Sequence, residues 1–149
     1  MNIRDATEAD LPRLLELLDQ LAFDTPREER GLPLPEFYRD AFHRIDASDG
    51  QRLLVLEVDG EIVGTLVLLI IPNITHQGRP YATVENVVVD ESERGAGYGW
   101  RLIRYAIDQA RAAGCYKLTL TSHKRRTEAH RFYERLGFES TYEGYRVEL

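Results

Sequence analysis

The chain has almost no cysteine. Cys115 is the only one among 149 residues, so the chain cannot form an internal disulfide or supply a multi-cysteine metal cluster. Such a composition fits a reducing compartment. The four histidines have no paired ligand spacing on any one predicted element, and the sequence therefore predicts no metal site.

Long apolar runs and an excess of basic residues are also missing. No apolar run approaches the roughly 20 residues that span a bilayer, and residues 1–6 lack the basic start and apolar stretch of a signal peptide. These absences predict a cytoplasmic protein without a membrane partner. The formal net charge is −6. Because nucleic-acid binding depends on a basic surface and counterion release, this charge argues against a protein that coats nucleic acid and favours amines as substrates.

The composition is sufficient for one globular domain covering residues 1–149, with 43% hydrophobic and 30% charged residues. Hydrophobic periodicity and turn residues predict an order of elements that is typical of an α+β or mixed-sheet α/β domain. The predicted elements are a strand at residues 2–4, a helix after Thr7 that includes Leu21 and Ala22, a loop at 24–35, a helix around 37–45, strands Arg52–Val58, Glu61–Ile71 and Tyr81–Val89, a helix at 97–113, a strand Lys117–Thr121, a helix Thr127–Leu136, and one or two closing strands within Phe138–Leu149.

A glycine-rich turn follows the predicted strand that ends at Val89. It contains the run Arg94-Gly95-Ala96-Gly97-Tyr98-Gly99 and opens a helix. Glycines let a phosphate approach unpaired backbone N–H groups without a Cβ in the way, and an arginine adds a fixed positive charge. The turn therefore suits a pyrophosphate, although an ordinary strand-to-helix turn has a similar composition.

Spacing separates the competing phosphate-binding motifs. A dinucleotide fingerprint Gly-x-Gly-x-x-Gly that starts at Gly95 requires glycine at Trp100, and one that starts at Gly97 requires it at Leu102. A P-loop must end in Gly-Lys-Ser or Gly-Lys-Thr, and the sequence contains neither. Both nucleotide-binding interpretations are thereby excluded.

Two segments resemble motifs of one known family. Residues 94–99 resemble the pyrophosphate-binding motif Gln/Arg-x-x-Gly-x-Gly/Ala of the GNAT superfamily of N-acetyltransferases, and residues 127–138 are similar to its Ala-x-x-Phe/Leu-Tyr-x-x-x-Gly-Phe motif. The resemblance implies acetyl-coenzyme A as co-substrate. It also implies a GNAT-like fold, with a mixed, mostly antiparallel sheet of six to seven strands, about four flanking helices, and a V-shaped cleft between the fourth and fifth strands.

The resemblance also implies the residues that bind the cofactor. Backbone groups of the three valines before the turn would align the pantetheine arm and polarise the thioester carbonyl, and the turn would hold the pyrophosphate. Arg126 stands where the family often has asparagine; it could meet the phosphorylated ribose by charge, or belong to a solvated basic loop. The expected cofactor-binding residues are Val87, Val88, Val89, Arg94, Gly95, Ala96, Gly97, Tyr98, Gly99 and Arg126.

Two side chains are candidates for catalysis. Tyr133 matches the position of the family's general acid, and a phenol with a pKa of about 10 can protonate a thiolate leaving group whose conjugate acid has a pKa of about 8.5. Its alternative role is core packing with neighbouring phenylalanines. Glu85 is the first candidate for the base, because several family members carry a catalytic glutamate on this strand. Strand alternation predicts that Glu85 shares a face with Val87 and Val89.

An ion pair on a neighbouring strand is the alternative role for Glu85. The weaker candidates for the base are His76, His123 and His130. Further stretches of the sequence resemble glucosamine-6-phosphate and aminoalkylphosphonate N-acetyltransferases, so we expect a small-molecule amine as acceptor. Residues 23–45 and 73–81 are expected to line its pocket.

Other functions remain open at this point. They are a protein or peptide N-acetyltransferase, a non-catalytic acyl-coenzyme A sensor and, with little basic surface to support it, a nucleic-acid module built on residues 124–126. Dimers are common among members of the family, so a homodimer is expected, and the apolar tail is a candidate for its interface.

Overall fold

A computed structural model describes residues 1–23 and 27–149 of the chain. The chain forms two compact units, Met1–Thr119 and Leu120–Leu149. Residues 24–26, at the start of the predicted loop, lie outside the described part. None of the helices in the described ranges has the length and apolar character needed to cross a bilayer.

Five strands form one sheet in the order β1-β2-β3-β4-β5. Each of the first four strands pairs antiparallel with the next. Beside β4, Tyr116 N–H donates to the Pro80 carbonyl at 3.0 Å and Ala82 N–H donates to the Lys117 carbonyl at 2.9 Å, so the residue numbers rise together as in a parallel pair. The strands are β1 (Asn2–Asp5), β2 (Gln51–Val58), β3 (Glu61–Ile71), β4 (Tyr81–Val89) and β5 (Leu118–Leu120).

The expected mixed, mostly antiparallel sheet is confirmed, and the hairpin between β2 and β3 lies where the sequence predicts it. Its turn residues Asp59 and Gly60 have φ values of 51° and 85°, and two positive φ values in succession are typical of a type I′ turn. That turn twists the chain in the sense that two neighbouring strands require.

The expected strand count is wrong, because the described chain has five strands rather than six or seven. The missing strands are those predicted for Phe138–Leu149, where the described residues have no strand and residues 139–149 are all exposed. Alternating apolar residues are typical of a strand that buries one face. A strand also needs backbone hydrogen bonds to a neighbour, which an alternating pattern does not supply.

Four of the five helices in the described ranges lie where the periodicity predicts them. The additional α3 is a single turn between β3 and β4, and its residues His76 and Gln77 have left-handed backbone angles. The first helix ends at Asp19, so Leu21 and Ala22 lie beyond it. The helices are α1 (Leu11–Asp19), α2 (Glu36–Asp46), α3 (Thr75–Gly78), α4 (Tyr98–Ala112) and α5 (Thr127–Arg135).

Helices cover both faces of the sheet in the first unit. On one face, Val55 and Val88 belong to a buried cluster with apolar residues of α1 and α2. On the other face, a Cβ added to Gly64 would lie 2.9 Å from Cδ1 of Leu102, so the absence of a side chain there lets α4 pack closely against β3. The buried residues of α4 are Leu102, Ile103, Ala106 and Ala110.

Candidate active site

The glycine turn lies between β4 and α4, where the sequence predicts it. Gly95 and Gly97 have φ values of 90° and 82°, a region that residues with a Cβ rarely adopt. Gly97 is also the N-cap of α4. A Cβ added at either glycine would meet no atom of the described residues within 4 Å. The turn therefore combines a backbone that requires glycine with open space in front of it.

Backbone donors are concentrated at the start of α4. The N–H of Arg101 donates to the carbonyl of Gly97 at 3.2 Å, which closes the first turn of this 15-residue helix. The N–H groups of Tyr98, Gly99 and Trp100 precede that bond and have no acceptor within the helix. The helix dipole adds partial positive charge at the same end, and the exposed Arg94 adds a full one. These residues fit the pyrophosphate of coenzyme A.

A β-bulge interrupts β4 before this turn. Thr65 of β3 is paired with Val88 and Val67 with Glu85, so two residues of β4 lie opposite a single residue of β3. Asn86, one of these two residues, has a φ of 52°. Asparagine tolerates the left-handed region better than β-branched residues do. The bulge gives β4 one extra residue at the point where the resemblance places the reaction.

The bulge changes the face to which Glu85 points. Residues directly opposite in an antiparallel pair point to the same face, and Thr65 and Val67 are two residues apart on β3. Glu85 and Val88 therefore share a face, and it is the face on which α1 packs. The predicted alternation of Glu85 with Val87 and Val89 is wrong because it assumes a regular strand. Glu85 is exposed at this position.

The valines after the bulge have separate roles for side chain and backbone. The side chain of Val88 is buried in the core. The N–H of Asp90 donates to the carbonyl of Val63 on β3 at 2.8 Å. Because successive N–H groups along a strand point to opposite edges, the N–H of Val89 points away from β3. A ligand that lay along the other edge of β4 could accept a hydrogen bond from this N–H group.

Tyr133 lies on α5 in the second unit. Its ring packs at an angle against Phe132 and Phe138, with centroids 5.3 and 5.8 Å away. Burial raises the pKa of the Tyr133 phenol, and the positive charge of Arg126 partly opposes that shift. The phenol therefore keeps its proton at neutral pH, as a general acid must. Tyr133 therefore packs against its aromatic neighbours and also carries the proton that a general acid needs.

The basic loop before α5 has its own hydrogen bonds. Arg126 is the N-cap of α5. The side chain of His123 accepts from the N–H of Arg125 at 3.1 Å, and Nε2 of His130 lies 3.0 Å from the carbonyl oxygen of His123, to which it donates. Both histidine side chains are therefore hydrogen-bonded to the backbone of this loop. His76 of the first unit stacks on Tyr116, with ring centroids 3.6 Å apart.

A small pocket lies at the end of α1, and we call it the α1 pocket. Its volume is about 140 Å³. Asp19, whose side chain is 6% exposed, forms part of it. Its Oδ1 accepts the N–H groups of Arg27 and Glu28, each at 3.1 Å, and its Oδ2 lies 3.1 Å from Nε of Arg30. The pocket residues are Leu18, Asp19, Leu21, Ala22, Arg27, Glu28 and Asn86.

The sequence leads us to expect residues 23–45 in the acceptor pocket, and this range does not include Asp19. No local pattern marks this residue, because its partners lie eight to eleven positions further along the chain. Its only sequence signal is a carboxylate at the end of an apolar helix face, immediately before a loop rich in charge.

Comparison with known proteins agrees with this fold. The model of the acetyltransferase (GNAT) family matches residues 14–138. The chain therefore belongs to the GNAT family, and it is an acyltransferase. The expected GNAT-like fold is confirmed.

Individual relatives match most or all of the chain. The glucosamine 6-phosphate N-acetyltransferase of Trypanosoma brucei brucei is 36% identical over 149 residues, which are 100% of this chain and 96% of that protein. The aminoalkylphosphonate N-acetyltransferase of Salmonella typhimurium is 30% identical over 107 residues, 70% of this chain and 68% of that protein. A solved structure from Bacillus halodurans C-125, described as a transcriptional regulator, is 38% identical with a TM-score of 0.93 over 99% of both chains.

Proposed function

We propose that the protein transfers an acetyl group from acetyl-coenzyme A to the primary amine of a small molecule, by direct attack in a ternary complex. The observation that carries this proposal is the left-handed Gly97 at the start of α4, with open space in front of it and the exposed Arg94 three residues before it in the chain. A diphosphate needs several N–H donors and a nearby cation, and the turn offers both.

Each group of the turn has a separate task in cofactor binding. The N–H groups at the start of α4 and the guanidinium of Arg94 bind the diphosphate. Backbone groups of Val87–Val89 align the pantetheine arm and donate to the thioester carbonyl, where fixed donors are worth several kcal/mol of barrier. Arg126 binds the phosphorylated ribose by charge. The cofactor itself supplies the acetyl group as a thioester.

Two side chains move protons in the proposed reaction. An alkylammonium has a pKa of about 10.4, so most of the substrate amine must lose a proton before it attacks. The exposed carboxylate of Glu85, placed by the bulge on the α1 face, accepts that proton directly or through water. The Tyr133 phenol then donates a proton to the departing thiolate, and it regains one from the second proton that the amine nitrogen loses as the amide forms. The raised pKa of the phenol favours the protonated form that this step requires.

Glucosamine 6-phosphate is the first acceptor to test. The relative that acts on it is 36% identical to this chain from end to end, and the relative named for aminoalkylphosphonates also takes a small amine with a phosphorus acid group. A screen of amines with a reagent for free thiols would detect coenzyme A release. Release that depends on a small amine supports the proposal. Release only with a peptide amine would reassign the acceptor, and binding without release would favour an acyl-coenzyme A sensor.

We further propose that residues 1–149 act as one domain and as a homodimer. The family match at residues 14–138 includes parts of both compact units. The tail carries Tyr145, Val147 and Leu149, all exposed, in the alternation of a strand that buries one face. A second copy of the chain is the partner that would cover them.

A further inference from the structure

The charged side chains of the α1 pocket differ in whether they have hydrogen-bond or ion-pair partners. Asp19 accepts two backbone N–H groups and lies within ion-pair distance of Arg30. Glu28 accepts the hydroxyl of Tyr38 at 2.7 Å, and that hydroxyl oxygen in turn accepts the N–H of Glu29 at 2.8 Å. Both carboxylates therefore already have donors within the protein.

Arg27 differs from these carboxylates. Its backbone N–H is bound to Asp19, but its side chain is exposed and has no ion pair or hydrogen bond with the described residues. The positive charge of Arg27 is thus the one charge of the pocket lining that lacks a partner among the described residues. A guanidinium binds phosphate, phosphonate or carboxylate through paired N–H donors.

The pocket also lies beside the proposed reaction centre. Asn86, the left-handed residue of the bulge, lines the pocket and directly follows Glu85. Glu85 points to the face on which α1 packs, and the pocket is at the end of α1. An acceptor whose amine lies at Glu85 would therefore extend its remaining atoms along Asn86 towards Arg27.

We infer that Arg27 binds the acid group of an acceptor that carries both an amine and an anion, and so selects that class of amine. This inference rests on the proposed function and adds the residue that recognises the substrate. Arg27 is a binding residue that leaves the chemistry of the amine unchanged. Its removal should therefore raise KM for anionic acceptors and leave kcat nearly constant.

The test compares matched acceptors that differ in the acid group. The pairs are glucosamine 6-phosphate and glucosamine, 2-aminoethylphosphonate and ethylamine, and an amino acid and its amide. We expect the unaltered protein to favour the acid member of at least one pair. Arg27→Gln should lower kcat/KM for that member by roughly 10- to 100-fold, as expected for loss of a hydrogen bond to a charged group, and leave the neutral member unchanged.

Two variants control for charge and for folding. Arg27→Lys keeps the positive charge and should retain part of the preference, because lysine binds an anion as a point charge. Arg111→Gln removes an exposed arginine in the last turn of α4, outside the segments expected to line the acceptor pocket, and should change neither member of a pair. Unchanged thermal unfolding of each variant would show that the fold is intact.

The outcomes separate this inference from the proposed function. Acetylation without preference for the acid member of any pair, or a preference that survives Arg27→Gln, would overturn the role of Arg27 while the acetyltransferase activity stands. Failure of the unaltered protein to acetylate any amine would overturn the proposed function and, with it, this inference.

Discussion

Arg13 of α1 and Asp90 at the end of β4 form an ion pair between residues 77 positions apart in the chain. The guanidinium of Arg13 donates to Oδ2 of Asp90, while the N–H and hydroxyl of Ser92 donate to Oδ1 at 2.9 and 2.7 Å. The N–H of Glu91 donates to the side chain of Gln20 at 3.0 Å. The chain that leads from β4 into the glycine turn is therefore attached both to α1 and to Gln20, the residue that follows this helix.

Replacing Asp90 should destabilise the protein in a way that depends on pH. Hydrogen bonds from Ser92, followed by the ion pair with Arg13, lower the pKa of Asp90 from 3.8 to about 2. A lowered pKa stabilises the fold above the unfolded value, and this contribution is lost as the pH falls from about 4 towards 2. Asp90→Asn should lower the free energy of unfolding at pH 7 by about 2 kcal/mol.

Urea unfolding of both proteins between pH 7 and pH 3 measures this effect. The difference between them should shrink as the pH approaches 3. Glu16→Gln is the control, because Glu16 pairs with the same arginine at an exposed position and should cost less than about 1 kcal/mol. A difference that stays constant down to pH 3 would contradict the assignment to Asp90.

Gly97→Ala should weaken cofactor binding more than backbone strain alone explains. Alanine at a φ of 82° costs about 1–2 kcal/mol of stability, and its Cβ would occupy the space in front of the turn. We expect KM for acetyl-coenzyme A to rise roughly 10-fold or more, by loss of a charge-assisted backbone contact.

Gly60→Ala provides the matched control. Gly60 has a φ of 85° and equally open space among the described residues, but lies in the hairpin turn. It should cost similar stability and leave KM unchanged. Equal effects of the two substitutions on KM would remove the turn from the binding site.

Tyr133→Phe should lower kcat by roughly 100-fold, which is the lower range for loss of a general acid. The affinity for acetyl-coenzyme A should stay nearly constant, because the ring still packs against Phe132 and Phe138. Because burial raises the pKa of the phenol above its ordinary value, activity should fall only at strongly alkaline pH, and this alkaline limb should disappear in the variant. Tyr145→Phe, at an exposed phenol, is the control; an unchanged kcat for Tyr133→Phe would exclude the acid role.

Glu85→Gln should remove the acidic limb of the pH–rate profile, because glutamine cannot accept the proton of the amine. We expect kcat/KM for the amine to fall by roughly 100-fold at neutral pH and to recover partly at high pH, where more substrate is already deprotonated. Asn86→Gly, which accepts the left-handed backbone of the bulge without strain, should keep the acidic limb. A profile unaltered by Glu85→Gln would assign the base to another group.

Val147→Glu should dissociate the proposed homodimer. Arg146 and Glu148 form an ion pair and so point to one side of the tail, which leaves Val147 on the other. Glu148→Gln changes the charged side and is the control. Light scattering after gel filtration measures the mass of each protein, and an unaltered chain that is monomeric at every concentration would exclude the dimer.

Much of the fold could be predicted because its signals are local. The bounds of β4 and the hairpin at Asp59–Gly60 follow from runs of β-branched residues and from turn chemistry. The position of the bulge could not be predicted, since it depends on the register between β3 and β4. Its only sequence signal is the polar pair Glu85-Asn86 within a run of valines, and the alternation rule fails there for that reason.

The position of the glycine turn could be predicted because the turn is a contiguous motif, and it lies between β4 and α4 as expected. Cofactor binding by its residues stays a prediction. The ion pair of Arg13 with Asp90 joins distant parts of the chain, so a single sequence carries no pattern for it. The roles of Tyr133 and Glu85 stay predictions.

Free coenzyme A and acetylated product, measured together by thiol titration and mass spectrometry with glucosamine 6-phosphate as acceptor, show whether acetyl groups are transferred from acetyl-coenzyme A bound at the Gly95–Gly97 turn. We expect equal amounts of both products from the unaltered protein and a much lower yield from Gly97→Ala at limiting cofactor. Equal yields from the two proteins, or no acetylated product with this or any other amine, would contradict this expectation.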